Sequence, residues 1–493
     1  MHSLKITEIL KTFSVKELKE FEKFISSPFF SRGRNVVPIY KAVKKFYPAF
    51  NDKKYNKENI YRLAYKNKKF SSPVFRRLIS DLTLLAEEYL RYLWFNSEGI
   101  EREIALACGY SRKKKFKLMA PSLKKLSQRL YTMQIDQDYF EYLYQLQCMY
   151  VHYYQCTSDN YRLHLRNCID KGEFLVLNVL SRLAQILHDN FVLKHAYNCD
   201  YEENILNAFK DNFSIEGFIN MVSRKEGRYN KIINFYSSLI KLYIDAEKKI
   251  NNKVQEIEDD FMMSFGSLKE IYNELYYSER NLAGVILTTY CTLKINEGLD
   301  VFVKHIFELY KFTLQENILL YNGFIPYQIY LDYISKAIFL NKTEDAENFI
   351  NEYTEKLNPE VKDLAYGQSM AMLMLNKKNF TGSLEILKKI KPFDLKNKCE
   401  IRILQAVNFY ELGYYDTLEH FIETTLKMLE KNENITIYKR KIYVPFFSYL
   451  KKLIKLRYKN TDKIEAELLI NNINSEKYFS YKKWLVEKFK EFV

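Results

Sequence analysis

Residues 371–390, AMLMLNKKNFTGSLEILKKI, and residues 406–425, AVNFYELGYYDTLEHFIETT, carry one pattern twice. Ala371, Met374, Phe380, Ser383, Leu387 and Ile390 recur 35 residues later as Ala406, Phe409, Tyr415, Leu418, Ile422 and Thr425. A third copy lies 37 residues upstream, at Ile334, Ala337, Thr343, Ala346, Ile350 and Tyr353. Each copy reads as a helix, a short polar turn (376–379, then 411–414) and a second helix. A period of this length, built of two helices, marks units that cannot bury their apolar faces alone and so must stack. The small or medium apolar residues fall where the two helices of a hairpin cross closely.

The rest of the chain is consistent with an all-α fold. Only 13 Gly and 9 Pro punctuate 493 residues, too few for the turns of a β-rich protein. Hydrophobic residues make up 47%, enough for a large core. The 41 Tyr and 35 Phe suit wide seams between helices, with tyrosine hydroxyls kept at the wet edge. An AT-rich coding sequence would favour the same residues. Ser14 and Glu17 form a capping box ahead of the stripe Leu18, Phe21, Phe24 and Ile25. Asn56 is placed to cap another helix, and Ser72-Pro73 to open a long one ending near 96–99. Long helices are predicted over 123–156, 174–197 and 229–258, with a second capping box at Ser267 and Glu270. The expected organisation is a basic helical domain over 1–98, a long-helix region over 99–280, and helical repeats over 281–493.

The repeat pattern resembles the tetratricopeptide repeat, over about 330–430 and extending toward 281. The resemblance implies an α-solenoid of helical hairpins and a surface for a protein or peptide. The early Trp of that repeat is absent, and its first-helix Gly is Ala371 and Ala406 here. The members that clamp peptide termini need Asn at two first-helix positions. Those positions hold Asp332 and Ser335, Ser369 and Met372, and Leu404 and Val407, so the clamp does not carry over. The opening, Phe13-Ser14 through Phe29-Phe30, resembles an uncharacterised group of bacterial helical proteins, which implies no function.

Charge is unevenly placed. The formal net charge is +15, yet residues 1–125 hold 28 Lys+Arg against 12 Asp+Glu. The remainder is near neutral, so attraction to a polyanion originates in the first quarter. Candidate phosphate contacts are Lys68, Lys69, Arg76, Arg77, Arg112, Lys113, Lys114, Lys115 and Lys117. Tyr61, Tyr65, Phe70, Phe75 and Phe116 are interleaved with this basic region as possible base-stacking partners.

No two glycines are spaced for a phosphate-binding loop, and HExxH, CxxC and GxSxG are all absent. No catalytic residue and no cofactor is expected. Cys148, His152 and Cys156 share one side of a helix, and His164 and Cys168 repeat the i, i+4 spacing. Two readings stay open for these five: a tetrahedral zinc site, or cysteine as apolar filler beside half-buried histidine. Knuckle spacing is missing, and no metal is expected. His188-Asp189 resembles the dipeptide of HD-type metal phosphohydrolases, with His164, Asp200 or Asp211 as further ligands. Against it stands His188 as an ordinary helix-surface residue.

Seven scattered Cys point to reduced thiols, the opening lacks an apolar signal region, and no apolar run spans a bilayer. A cytoplasmic location without membrane contact is expected. The function expected is a non-catalytic repeat scaffold binding a protein or peptide. Nucleic-acid binding through 1–125 is the alternative, and an HD-type phosphohydrolase a third.

Overall fold

The computed structural model describes residues 4–30, 34–96, 99–157, 160–197, 214–223, 229–246, 254–318, 320, 323–432, 435, 437–458, 463–476 and 478–493. Among them the protein is all-α, with 23 helices and no strand. Two isolated bridges, Ile135 with Leu275 and Ile325 with Leu357, are the only sheet-like pairings among these residues. The chain divides into two compact units, Met1–Thr132 with Gln145–Cys168 and Met133–Tyr144 with Ile169–Val493. The division runs through the 99–280 segment.

The first unit is organised by its aromatic core. The capping box forms as expected: Glu17 N–H donates to Ser14 Oγ at 3.2 Å, and Ser14 N–H donates to the Glu17 carboxylate at 2.7 Å. It starts the helix Val15–Ser26, whose Phe21 and Phe24 pack on Tyr89 of the helix Ser72–Asn96. Asn56 caps Lys57–Ala64 through Asn59 N–H at 2.9 Å. Ser72 lies inside its helix rather than capping it, and Phe75 N–H bonds Ser71 O. Tyrosine hydroxyls are not confined to the wet edge. Tyr40 is fully buried and donates to Leu18 O at 2.6 Å, so the aromatic reaches the core by finding an internal acceptor.

The second unit is a run of hairpins. Helix pairs Asn230–Ala246 with Val254–Ile271, Tyr277–Asn296 with Val301–Gln315, Tyr327–Phe339 with Thr343–Tyr353, Pro359–Asn376 with Phe380–Lys389, and Leu395–Glu411 with Tyr415–Lys431 follow in order, and Ile437–Tyr458 and Lys463–Ser475 come after them. The second helix of each hairpin packs on the first helix of the next, Tyr415–Lys431 packs on Ile437–Tyr458, and Lys482–Lys490 closes the series against both Ile437–Tyr458 and Lys463–Ser475. The hairpin Asn230–Ala246 with Val254–Ile271 thus stacks ahead of the expected 281, in a stretch where no Gly or Pro separates its two helices in sequence.

The 35–37-residue register holds. Ile334, Ala337, Ala346, Ala371, Ser383, Ala406 and Leu418 are all fully buried. At the crossing itself, Ser383 Oγ donates to Ala371 O at 2.8 Å, and Asn408 Nδ2 of the next hairpin donates to Ser383 Oγ at 2.9 Å. The backbone repeats too. Asn341, Lys378 and Gly413 occupy the same turn position with φ of 59°, 61° and 75°. The next residue's N–H reaches back to Ala337 O, Met374 O and Phe409 O respectively, closing each first helix with a Schellman motif. Gly367 supplies a contact the sequence did not announce. A Cβ there would meet Ile390 Cγ2 at 2.6 Å, so the two helices of that hairpin approach at a glycine one turn before Ala371.

Three expected elements are corrected. The predicted helix 123–156 is two helices, Phe116–Leu130 and Tyr139–Thr157. Ile135 interrupts them by exchanging bonds with Glu274 O and Tyr276 N–H, both at 2.7 Å. The predicted 229–258 helix is the hairpin named above, with 247–253 outside the described residues. Ser267 and Glu270 sit inside Val254–Ile271 and form no capping box, since buried Phe261, Phe265, Leu268 and Ile271 keep one face continuous through them.

Candidate functional site

The nine basic candidates are exposed. Lys68 and Lys69 lie in the turn before Ser72–Asn96, and Arg76 and Arg77 near its start. Arg112 ends the helix Ile100–Arg112, Lys113–Lys115 form the turn, and Lys117 lies in the first turn of Phe116–Leu130. Acidic neighbours in this unit are taken by other cations: Glu22 by Lys41 and Lys44, Asp81 by Arg34, Glu103 by Lys125 and Arg129. None of the nine forms an ion pair among the described residues. Lys115 and Lys117 flank a helix amino end, where the dipole is already positive, so their placement works against local stability. The expected stacking partners fare worse. Tyr61 and Phe75 are buried in the core, Tyr65 and Phe70 lean on it, and Phe116 packs edge-on to His152. Their faces are spent on packing.

Four of the five cysteine and histidine candidates fall into two pairs, and Cys148 is a half-buried free thiol outside both. His152 Nε2 lies 3.8 Å from Cys156 Sγ, and His164 Nε2 lies 3.9 Å from Cys168 Sγ. No three His, Cys, Asp or Glu side chains converge as a metal cage among the described residues.

His188 is not a surface residue. It is buried, and its Nδ1 meets the Tyr243 hydroxyl in a short hydrogen bond. Asp200 and Asp211 lie outside the described residues. Burial pulls the His188 pKa below the ordinary histidine range, with Asp189 opposing. The unfolded chain therefore takes up this proton first as pH falls through about 6.5, and folding stability declines there, by at most about 1.4 kcal/mol per pH unit. His188→Gln is expected to remove that component. Urea midpoints between pH 7.5 and 5 should converge for the two proteins as pH falls; a constant gap would show that His188 does not titrate in this window.

A fourth group was not legible beforehand. On the first helix Tyr327–Phe339, Asp332 accepts from Tyr310 Oη of the preceding hairpin's second helix at 2.9 Å and pairs with Lys336 at 3.1 Å. Burial works against the Lys336 ammonium, but Asp332, Tyr478 and Glu400 outweigh it and hold the pKa above the usual lysine value. Burial raises the Glu400 carboxyl, with Lys396 opposing. Gln368 reaches Glu400 at 3.5 Å and accepts from Asn397 Nδ2. Burial also raises the Tyr478 phenol, which feels Lys336, Asp332, Glu400 and Asp300. Thus one end of the chain meets charges from three hairpins. The only sequence hint was Asp332, at a position where clamp-type repeats place a ligand contact.

No protein-family model matches the chain, and no curated protein matches its sequence. No helix among the described residues is long and apolar enough to cross a membrane.

Proposed function

We propose that the protein is a non-catalytic helical-repeat scaffold that binds a protein or peptide partner across its first-helix face. The observation that carries this is the side-by-side packing of first helices, Tyr327–Phe339 on Pro359–Asn376 and Pro359–Asn376 on Leu395–Glu411. Helices aligned this way present equivalent positions at regular intervals, the arrangement by which tetratricopeptide-like stacks read an extended ligand. Asp332, Lys336 and Glu400 supply charge on that face. A photo-crosslinking residue at Gln328 or Ser335 should trap a protein in cells, whereas one at Glu385 on a second helix should not. Equal trapping from both faces, or from neither, would sink the reading.

A second reading has its own observation. Nine exposed cations without ion-pair partners crowd two turns of the first unit, which supports attraction to a nucleic-acid backbone. With the neighbouring aromatics packed away, such binding is to phosphates and carries little sequence preference.

A further inference from the structure

The first-helix face already carries a segment of the chain's own C-terminus, Tyr478-Phe479-Ser480-Tyr481-Lys482-Lys483-Trp484. The Tyr478 phenol feels the charges of Lys336, Asp332, Glu400 and Asp300. Tyr481 packs on the cluster built around Ala371, Leu387, Ile401 and Leu404. Lys483 Nζ lies 3.7 Å from the Phe339 ring centroid and 3.4 Å from the Asp300 carboxylate. Trp484 Nε1 donates to Glu411 at 2.7 Å, and Lys488 pairs with Glu411 at 3.0 Å. Phe339 and Glu411 are the same position of two repeats, 72 residues apart. The segment thus spans equivalent points of the stack, setting lysines and aromatic rings against carboxylates and an aromatic ring.

Its attachment has two footings of different strength. Phe479, Leu485 and Phe489 are fully buried with the last helices and anchor the closing helix. Half-buried Tyr481 and Trp484 share that core through Phe446. Tyr481 also holds φ at 58°, a left-handed conformation that a bulky residue adopts only under constraint. Half-buried Tyr478 and exposed Lys483 lie outside the core, so their contacts on the face can release while the anchor stays.

We propose that this face is a receptor for peptide segments combining spaced aromatic residues with lysine, and that Tyr478–Trp484 occupies it in cis until a partner segment of that chemistry exchanges with it. The inference rests on the scaffold reading and names its ligand class. Occupied by its own chain, the site binds a competitor more weakly in proportion to the fraction of time it is open.

The test uses full-length protein and a fluorescein-labelled peptide of residues 476–493, read by anisotropy. Tyr478→Ser, Tyr481→Ser and Lys483→Glu together remove three of the contacts on the face while leaving Trp484, Leu485 and Phe489 in place. That variant should bind the peptide at least about tenfold more tightly than the unaltered chain. Adding Asp300→Lys, which reverses the carboxylate that Lys483 leaves free, should abolish the gain. A triple variant with unchanged circular dichroism and unfolding that binds no better, or an unaltered chain that binds equally well, overturns the proposal. Should the triple variant fail to fold, Lys483→Glu alone must still give a gain of about threefold, and none there overturns it as well. If Gln328 and Ser335 still trap a protein while the peptide series is flat, the scaffold reading stands and this one falls.

Discussion

Ala406→Phe is expected to destabilise the protein by about 1–3 kcal/mol, and Lys377→Ala by no more than about 0.5. Ala406 is fully buried where Leu395–Glu411 crosses Tyr415–Lys431, next to Leu418 and Ile422 in the same core. A phenyl ring there must push two helices apart, and each is also packed on a neighbouring hairpin, so relaxation in one direction compresses the other. Lys377 sits in an exposed turn, and its ion pair with Glu347 is solvent-screened. The neighbouring Lys378 already holds a left-handed φ, so turn changes there act through backbone preference rather than packing. Urea unfolding of the two variants measures the difference. Equal shifts would mean that the crossing has been assigned to the wrong residues.

Reversing Arg112, Lys113, Lys114 and Lys115 to Glu is expected to reduce duplex DNA binding steeply and to flatten its salt dependence. Each phosphate neutralised contributes about −0.9 to the log–log slope, so loss of three or four contacts changes that slope by about 3. The side chains are exposed and form no ion pairs, so the substitutions disturb little of the core; Glu suits the amino end of Phe116–Leu130 better than Lys, which offsets its cost at the carboxyl end of Ile100–Arg112. Full-length proteins compared by gel shift across salt concentrations measure it. A slope unchanged by reversal would place any phosphate contacts outside this turn. If the unaltered chain binds only feebly and loses binding near physiological salt, the charge serves solubility rather than recognition.

Much of the helical framework was legible because its signals are local. Ser14 and Glu17 are three residues apart and form the capping box their types predict. The stripe Leu18, Phe21, Phe24 and Ile25 is buried as its spacing requires. The repeat was legible between 334 and 425 because small residues recur at crossings, and the left-handed turn residues Asn341, Lys378 and Gly413 independently follow the same period. The hairpin at 230–271 reads as one long helix over 229–258 because no Gly or Pro separates its two helices there. His188 was misjudged for a separate reason. Its burial depends on Tyr243, 55 residues away, and helical spacing cannot say which face meets a distant partner.

From the sequence alone followed the all-α class, the start of several helices, the 35–37-residue period and the concentration of positive charge in the first quarter. These depend on neighbours within a turn or two, or on counting, and need no knowledge of what folds against what. The tertiary structure alone decided which aromatics were free. It buried Tyr61 and Phe75, set His152 with Cys156 and His164 with Cys168 apart from Cys148, and brought Lys483 to Phe339 and Asp300 across more than 140 residues. Those outcomes are set by how stacked hairpins share buried surface, because a side chain's environment there comes from the neighbouring unit and not from its own helix.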